Sequence, residues 1–324
     1  MRNEWFYRGR IVRGQSSAEM RRLAYLARLR LRALRAQALA ANVTGQVSLS
    51  VGTWTPLGPA PLASDASGNG TQDYHQVSGR ATSIAIDPAD PTGNTIYIGG
   101  AQSGIWKSTN AANSNANSVT WTPITDDQAT LSIGAIAIQP GNSDPTKSVI
   151  LAATGEADNS ADSYFGLGII RSADGGNTWS LISTANNGEL SFTGLGGSQM
   201  AFSSAQTSTV VAAMATSSEG LVDGAVTAAT TPGLYTSTDV GQTWTYDVVS
   251  DPGGPIDATS ATSVVYNSSA GQFFAAIRYH GFYSSQDGVN WTRLPSQPGT
   301  AVLSTTGCPV QSASKWLRLS DLSR

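Results

Sequence analysis

The sequence predicts an all-β protein built from four-stranded antiparallel blades, a β-propeller, preceded by an α-helix. Three observations predict it. A Ser-x-Asp-x-Gly-x-x-Trp pattern recurs: SADGGNTW from Ser172 to Trp179, STDVGQTW from Ser237 to Trp244, and SSQDGVNW from Ser284 to Trp291, with Gln286 in the aspartate's place. A short apolar or aromatic run stands on either side of each copy, so the Asp-x-Gly core reads as the turn of a β-hairpin in which glycine takes positive φ. Two more strand-like runs precede each hairpin, as in ATSIAIDP with NTIYIGG and SIGAIAIQP with SVILAATG. A unit of four short strands, repeated with one aromatic per hairpin, has the pattern of a propeller blade.

Taken in order, residues 1–50 form a basic segment with a helix expected over 18–41, dense in Ala, Leu and Arg and free of Gly and Pro. Arg21, Arg28, Arg32 and Arg35 fall on one face, Leu23, Leu26, Ala27 and Leu34 on the other, and Arg30 interrupts the apolar side. Residues 51–78 read as a linker whose Trp54-Thr55-Pro56-Leu57 resembles a blade's fourth strand and so could close a ring. Blades follow at 79–125, 131–183, 190–249 and 260–295, the first with a degenerate hairpin, Ser108-Thr109-Asn110, that reaches Trp121 only after an insert. An irregular tail occupies 296–324. Four blades make an arc, so the chain reads as part of a longer propeller, with a closed four-bladed ring as the alternative.

Composition narrows the function. Only 13% of residues are charged, and Gly, Ser, Thr, Ala and Asn abound, a profile common in exported, loop-rich β proteins. An extracellular or periplasmic setting is expected, although no signal peptide is visible, and a cytoplasmic one remains the alternative. Cys308 is the sole cysteine, which excludes an intrachain disulfide and a cysteine-based zinc site. Residues 1–40 carry a net charge of about +8 and the remainder about −11, so an acidic body argues against nucleic acid. The basic helix is expected to dock on that body or on a membrane surface. No transmembrane span, cofactor or metal is expected.

The hairpins resemble those of the Asp-box, or bacterial-neuraminidase-repeat, propellers, which include sialidases, sortilin-type receptors, xyloglucan hydrolases and a photosystem assembly factor. The resemblance covers residues 51–295. It implies structural roles for Ser172, Asp174, Gly176 and Trp179, for Ser237, Asp239, Gly241 and Trp244, and for Ser284, Gln286, Gly288 and Trp291. It also implies that ligand chemistry lies on the opposite rim, formed by connections between second and third strands and from one blade to the next.

On that rim the candidates are Arg80, Gln102, Glu156, Asp158, Asp162, Tyr164, Arg278, Tyr279 and His280. The run Glu156 to Tyr164 gathers carboxylates that could grip a glycan hydroxyl or act as acid and base, or could simply bond their own loop. Sialidases use three arginines and a Phe-Arg-Ile-Pro motif, which is missing here; beyond the helix only Arg80 and Arg278 lie suitably. In the xyloglucan hydrolases an aspartate stands where this chain has Ala101, beside Gln102, which removes one of the two carboxyl groups glycosidases need. The expected function is therefore non-enzymatic binding of glycan or protein. The alternative is a glycoside hydrolase using Glu156, Asp158 or Asp162 with Asp223 or Asp257 as partner.

Overall fold

The computed structural model describes residues 79–157, 163–222 and 224–297, the strands β1 (Leu62–Asp65) and β2 (Asp73–Val77), and the helical residues Ala27, Arg30, Leu31, Ala33, Leu34 and Gln37. The chain divides into two units, Met1–Arg80 and Ala81–Arg324. In the first, β1 and β2 pair antiparallel, and the helical residues Leu31 and Leu34 are exposed. The other residues of the expected helix, and the possible ring-closing strand at Trp54, lie outside the described residues.

The second unit carries four antiparallel blades. The first blade is β3 (Ala81–Ile86), β4 (Ile96–Gly100), β5 (Gly104–Ser108) and β6 (Thr122–Pro123). The second is β7 (Ile133–Ile138), β8 (Ile150–Thr154), β9 (Ile169–Ser172) and β10 (Ser180–Ile182). A small hairpin, β11 (Thr184–Ala185) with β12 (Leu190–Ser191), precedes the third blade, so that blade's first strand begins at Leu195. The third blade is β13 (Leu195–Phe202), β14 (Val210–Thr216), β15 (Gly233–Ser237) and β16 (Thr245–Tyr246). After β17 (Ser250–Asp251) and β18 (Gly254–Pro255) comes the fourth: β19 (Ala261–Asn267), β20 (Gln272–Ile277), β21 (Gly281–Ser285) and β22 (Thr292–Arg293). β17 adds to this last sheet parallel to β22.

First strands of successive blades pack side by side, and each blade lays one face on the next. Because side chains alternate along a strand, every inner blade has two buried faces and its strands are apolar throughout. β8 and β14 are buried along almost their whole length. Three apolar clusters result, one per junction. Tyr97 and Ile105 meet Ile136, Ile150 and Ile170; Leu151 and Ile169 meet Val210, Met214 and Tyr235; Val211 and Leu234 meet Val264, Phe273 and Tyr283. Each first strand also carries a bulge near its start, between Ala81 and Ser83, Ile133 and Ala135, Gly197 and Gln199, and Ala261 and Ser263. A repeated bulge adds local twist at the rim where it lies.

The turn between third and fourth strands is the most regular local structure. Ser172 Oγ accepts from Gly176 N at 2.9 Å and donates to Asp174 Oδ1 at 2.8 Å. Asp174 in turn accepts from the amides of Asn177 and Thr178 and from the Thr178 hydroxyl. Ser237, Asp239 and Thr243 repeat the set bond for bond. Burial opposes ionisation of Asp174, but bonds from Thr178, Ser172 and Asn177 outweigh it and hold the carboxyl at about 2. Despite its insert, the first blade keeps the arrangement: Asn110 Oδ1 accepts from Ser108 Oγ, Thr120 N and Thr120 Oγ1.

In the fourth blade the register expected from the sequence is corrected by one residue. Ser285 and Asp287, not Ser284 and Gln286, form the turn: Ser285 Oγ donates to Asp287 Oδ1 at 2.9 Å and accepts from Gly288 N at 2.9 Å. One residue between aspartate and glycine is missing here, so anchoring the pattern on the tryptophan shifts the serine by one place. Ser284 instead points to the opposite face of the sheet, because neighbours along a strand alternate.

These turns also join blades. Lys107 Nζ and Tyr97 OH donate to Gly175 O at 2.8 and 3.1 Å, Arg171 Nε to Val240 O at 2.9 Å, and Thr236 Oγ1 to Gly288 O at 2.6 Å. The donors Lys107, Arg171 and Thr236 each immediately precede the turn serine of their own blade, and each acceptor lies in the turn of the next blade. Gly175 and Val240 both hold positive φ, 66° and 61°, in the left-handed region that turns this carbonyl outward.

Asp247 is a buried carboxylate at the third junction. Its Oδ2 accepts from Trp291 Nε1 at 3.1 Å and lies 2.8 Å from Thr236 Oγ1, while Oδ1 meets no partner among the described residues. Burial pushes the carboxyl up to about 8 against these two bonds, and the charge of Asp287 adds to the rise. The folded chain then holds a proton that an unfolded aspartate, with its ordinary value of 3.8, has released. Stability from this site is greatest below the unfolded value and falls as pH rises toward about 8. Asp247→Asn is expected to flatten that decline, so urea midpoints at about pH 5 and about pH 8 should differ less in the variant than in the wild type. Equal slopes would show that Asp247 is ionised in the folded chain.

Candidate binding rim

The connections between second and third strands occupy residues 101–103, 155–168, 217–232 and 278–280, at the opposite ends of the strands from the serine–aspartate turns. Of the two three-residue connections, the fourth blade's gives the most developed polar cluster among the described residues. Tyr279 sits at the turn's centre with φ 68°, a left-handed conformation uncommon outside glycine, and is 46% exposed. The Arg278 guanidinium lies 4.9 Å from its ring centroid, within cation–π range. Arg278 N donates to Ser260 O and His280 N to Ile277 O, which fixes the turn at both ends.

Behind this turn stands Asp251, supplied by β17 in the connection from the third blade to the fourth. Asp251 Oδ2 lies 3.2 Å from His280 Nδ1, and its Oδ1 accepts from Tyr283 OH at 2.6 Å and lies 3.3 Å from Arg293 Nε. Arg293 Nε also donates to His280 O at 3.0 Å. A carboxylate beside Nδ1 orients the imidazole and leaves Nε2 as the ring position for a ligand. Burial, then the bond to Asp251, pushes the Tyr283 hydroxyl well up, so it remains a neutral donor. Sequence reading found Arg278, Tyr279 and His280 but missed Asp251 and Tyr283, and it set aside Arg293, which the structure brings against His280 and Asp251. Asp251 precedes Pro252-Gly253-Gly254 and reads as a turn residue, and its partner His280 is far along the chain.

Glu156 lies on the second blade's connection and is buried. Its backbone N–H donates to Tyr164 O at 2.7 Å, and a parallel bridge ties it to Gly197 of β13. The loop is stitched to the third blade by Gly166 N to Leu195 O and Gly194 N to Gly166 O. Close backbone approach is built into this junction: a Cβ on Gly134 would lie 1.9 Å from Gly197 O. The third blade's connection contributes a short helix, Ser218–Val222, whose Glu219 is buried and accepts from Phe165 N at 3.3 Å. Ser218 N donates to Ser163 Oγ at 2.9 Å. Tyr164 is half-buried here; Asp158, Asp162 and Asp223 lie outside the described residues, and Asp257 is exposed.

Two further candidates are exposed. Gln102 is exposed on the first blade's three-residue connection, beside buried Ala101. Arg80, also exposed, closes the N-terminal unit. Among the described residues, no three His, Cys, Asp or Glu side chains gather as a metal site, and no helix is long and apolar enough to cross a membrane.

The fold is that of β-propeller blades. No family model matches the chain, and no curated protein matches it. Among solved structures it is similar to an ancestral GH74 enzyme, with 22% identity over 71% of this chain and 26% of that one and a TM-score of 0.48. It is also similar to the GH74 xyloglucanase of Xanthomonas campestris, with 18% identity over 64% and 29% of the two chains and a TM-score of 0.43. YCF48 from Cyanidioschyzon merolae gives 15% identity over 69% and 57%, with a TM-score of 0.39. The chain spans less than a third of the length of either GH74 enzyme.

Asp251 ties three side chains, one from a connection and two from strands. Replacing it leaves Arg293, whose side chain is 9% exposed, without this counter-charge. Asp251→Ala is expected to lower unfolding stability by about 3 kcal/mol, and Asp251→Asn by less, since the amide still accepts from Tyr283. Chemical denaturation measures both; two equal and negligible losses would show that the cluster holds nothing together.

Proposed function

We propose that this chain is an Asp-box propeller that binds a glycan or protein ligand, without cleaving it, through the rim of second-to-third connections. The observation that carries the reading is the Arg278-Tyr279-His280 turn. An exposed aromatic ring flanked by a guanidinium and a carboxylate-oriented imidazole offers one stacking face and several directional polar groups, which is what a sugar ring or a peptide side chain needs. The turn is short and fixed at both ends, so little conformational freedom is lost on binding. The low charge content and the abundance of small polar residues support an extracellular or periplasmic setting.

A second reading, glycoside hydrolysis, is favoured by one feature. Buried Glu156 and Glu219 approach neighbouring residues of the same segment, Tyr164 and Phe165. That chemistry needs two carboxyl groups flanking the scissile bond, one of them kept protonated by its surroundings.

Screening on glycan and peptide arrays separates the two readings. The expected result is a saturable hit weakened about tenfold or more by Tyr279→Ala and by His280→Ala. Xyloglucan and chromogenic glycosides should meanwhile be left intact. Hits indifferent to both substitutions, or an empty pair of arrays, would refute rim binding. Hydrolysis abolished by Glu156→Gln or Glu219→Gln would establish the second reading.

A further inference from the structure

The three blade junctions use equivalent positions. Along the first blade, Ala85, Tyr97 and Lys107 are ladder partners and face the second blade; Ile84 pairs with Ile98 and Trp106 on the other face. In the second blade the positions of Ile84 and Ile86 are held by Ile136 and Ile138, as their partners Ala152 and Ile150 show. Ile136 is 7% exposed beneath the first blade, whereas Ile84 and Ile86 are 65% and 60% exposed. The back of the first blade is therefore a junction face that carries no blade among the described residues. Large apolar side chains exposed together in this way are uncommon on a monomer's surface.

At the other end of the arc, Val265, Phe274 and Ser284 are ladder partners at the positions of Ala85, Tyr97 and Lys107. Phe282 and Ala276 pair beside them as Ile105 and Gly99 do. This front face presents two phenyl rings, and Ser284 occupies the place of the cross-blade donors Lys107, Arg171 and Thr236. The carbonyl such a donor would meet on a first blade is that of Ala111, which follows Asn110 as Gly175 follows Asp174.

We propose that these two faces dock on each other between two copies of the chain, the front of one fourth blade on the back of the other's first, to close an eight-bladed head-to-tail dimer. The occupant follows from the junctions already present. Each covered back face meets a whole blade front with its donor, and among the described residues the fourth blade's front is the one left over. The two faces are apolar and unlike each other, so a front fits a back, and a two-fold axis covers both ends at once. Propellers typically hold four to eight blades, which two arcs of four satisfy and three would exceed.

Light scattering on the 324-residue chain tests this. Twice the monomer mass of 33.6 kDa is expected. Ile84→Arg and Phe274→Arg should each give monomers with unchanged β-sheet circular dichroism. Mixing the two variants should restore dimers, because one junction then joins two unaltered faces. A monomeric wild type, a dimer indifferent to both substitutions, or a mixture that stays monomeric overturns the proposal. The first outcome would assign the exposed face to another segment of the chain, and the last to like-on-like pairing. If arginine prevents folding, Ile84→Ser and Phe274→Ser replace it, with dimerisation about tenfold weaker expected and undiminished dimers counting against it.

Discussion

The fold depends on one backbone carbonyl per junction being held outward. Gly175 O, Val240 O and Gly288 O each take a hydrogen bond from the preceding blade, and each is aimed by a turn whose serine and aspartate satisfy the surrounding amides. The aspartate is thus a local device with a distant effect. By accepting from several turn N–H groups it makes a left-handed residue affordable, and that residue presents the acceptor. Apolar burial supplies most of the attraction between blades, but it is non-directional. The donor and its carbonyl fix where one sheet lies along the next.

Concentrating this bonding on one rim has a consequence for the other. The turns of the clamped rim keep nearly one geometry, whereas the connections at the opposite strand ends range from three residues in the first and fourth blades to long segments in the second and third. Chain length varies where no cross-blade register has to be kept, and varied loops on a rigid scaffold are where binding residues accumulate. Even there the scaffold intrudes. The 155–168 connection is sewn to β13 by backbone bonds, which buries Glu156, while the turn around Tyr279 projects a side chain outward.

The architecture was legible in the sequence because the turn pattern is local: Ser172, Asp174 and Gly176 interact within five residues, so their spacing survives in the one-dimensional text. The failure at the fourth blade has the same origin. Removing one residue between Asp287 and Gly288 leaves the hydrogen bonds intact, and a fixed-spacing pattern then selects Ser284 and Gln286. The candidate rim was less legible. Arg278, Tyr279 and His280 are contiguous and could be noticed together, but Asp251 and Glu219 gain meaning only from partners far away in sequence. The cross-blade donors Lys107, Arg171 and Thr236 share a position without sharing a chemistry, so no residue pattern marks them.

Two buried aspartates show how the junctions tolerate polar groups. Asp87 Oδ1 accepts from Ala89 N and from Ser148 Oγ of the following blade's loop; Asp247 Oδ2 lies 2.8 Å from Thr236 Oγ1 and accepts from Trp291 of the following blade. Each leaves its second oxygen without a partner among the described residues. An ionised carboxylate half-satisfied in this way would be costly, and for Asp247 the cost is lowered by retention of the proton. With the proton on Oδ2, Asp247 donates to Thr236 Oγ1, whose own hydrogen goes to Gly288 O, and the charge that burial penalises is gone. The Trp291 indole then bridges Asp247 and Gly288 O, at 3.1 and 2.9 Å, so the turn tryptophan that closes its own hairpin also touches the blade before it. A single side chain thereby couples the local turn to the junction, which is the same economy that the outward carbonyl achieves on the backbone.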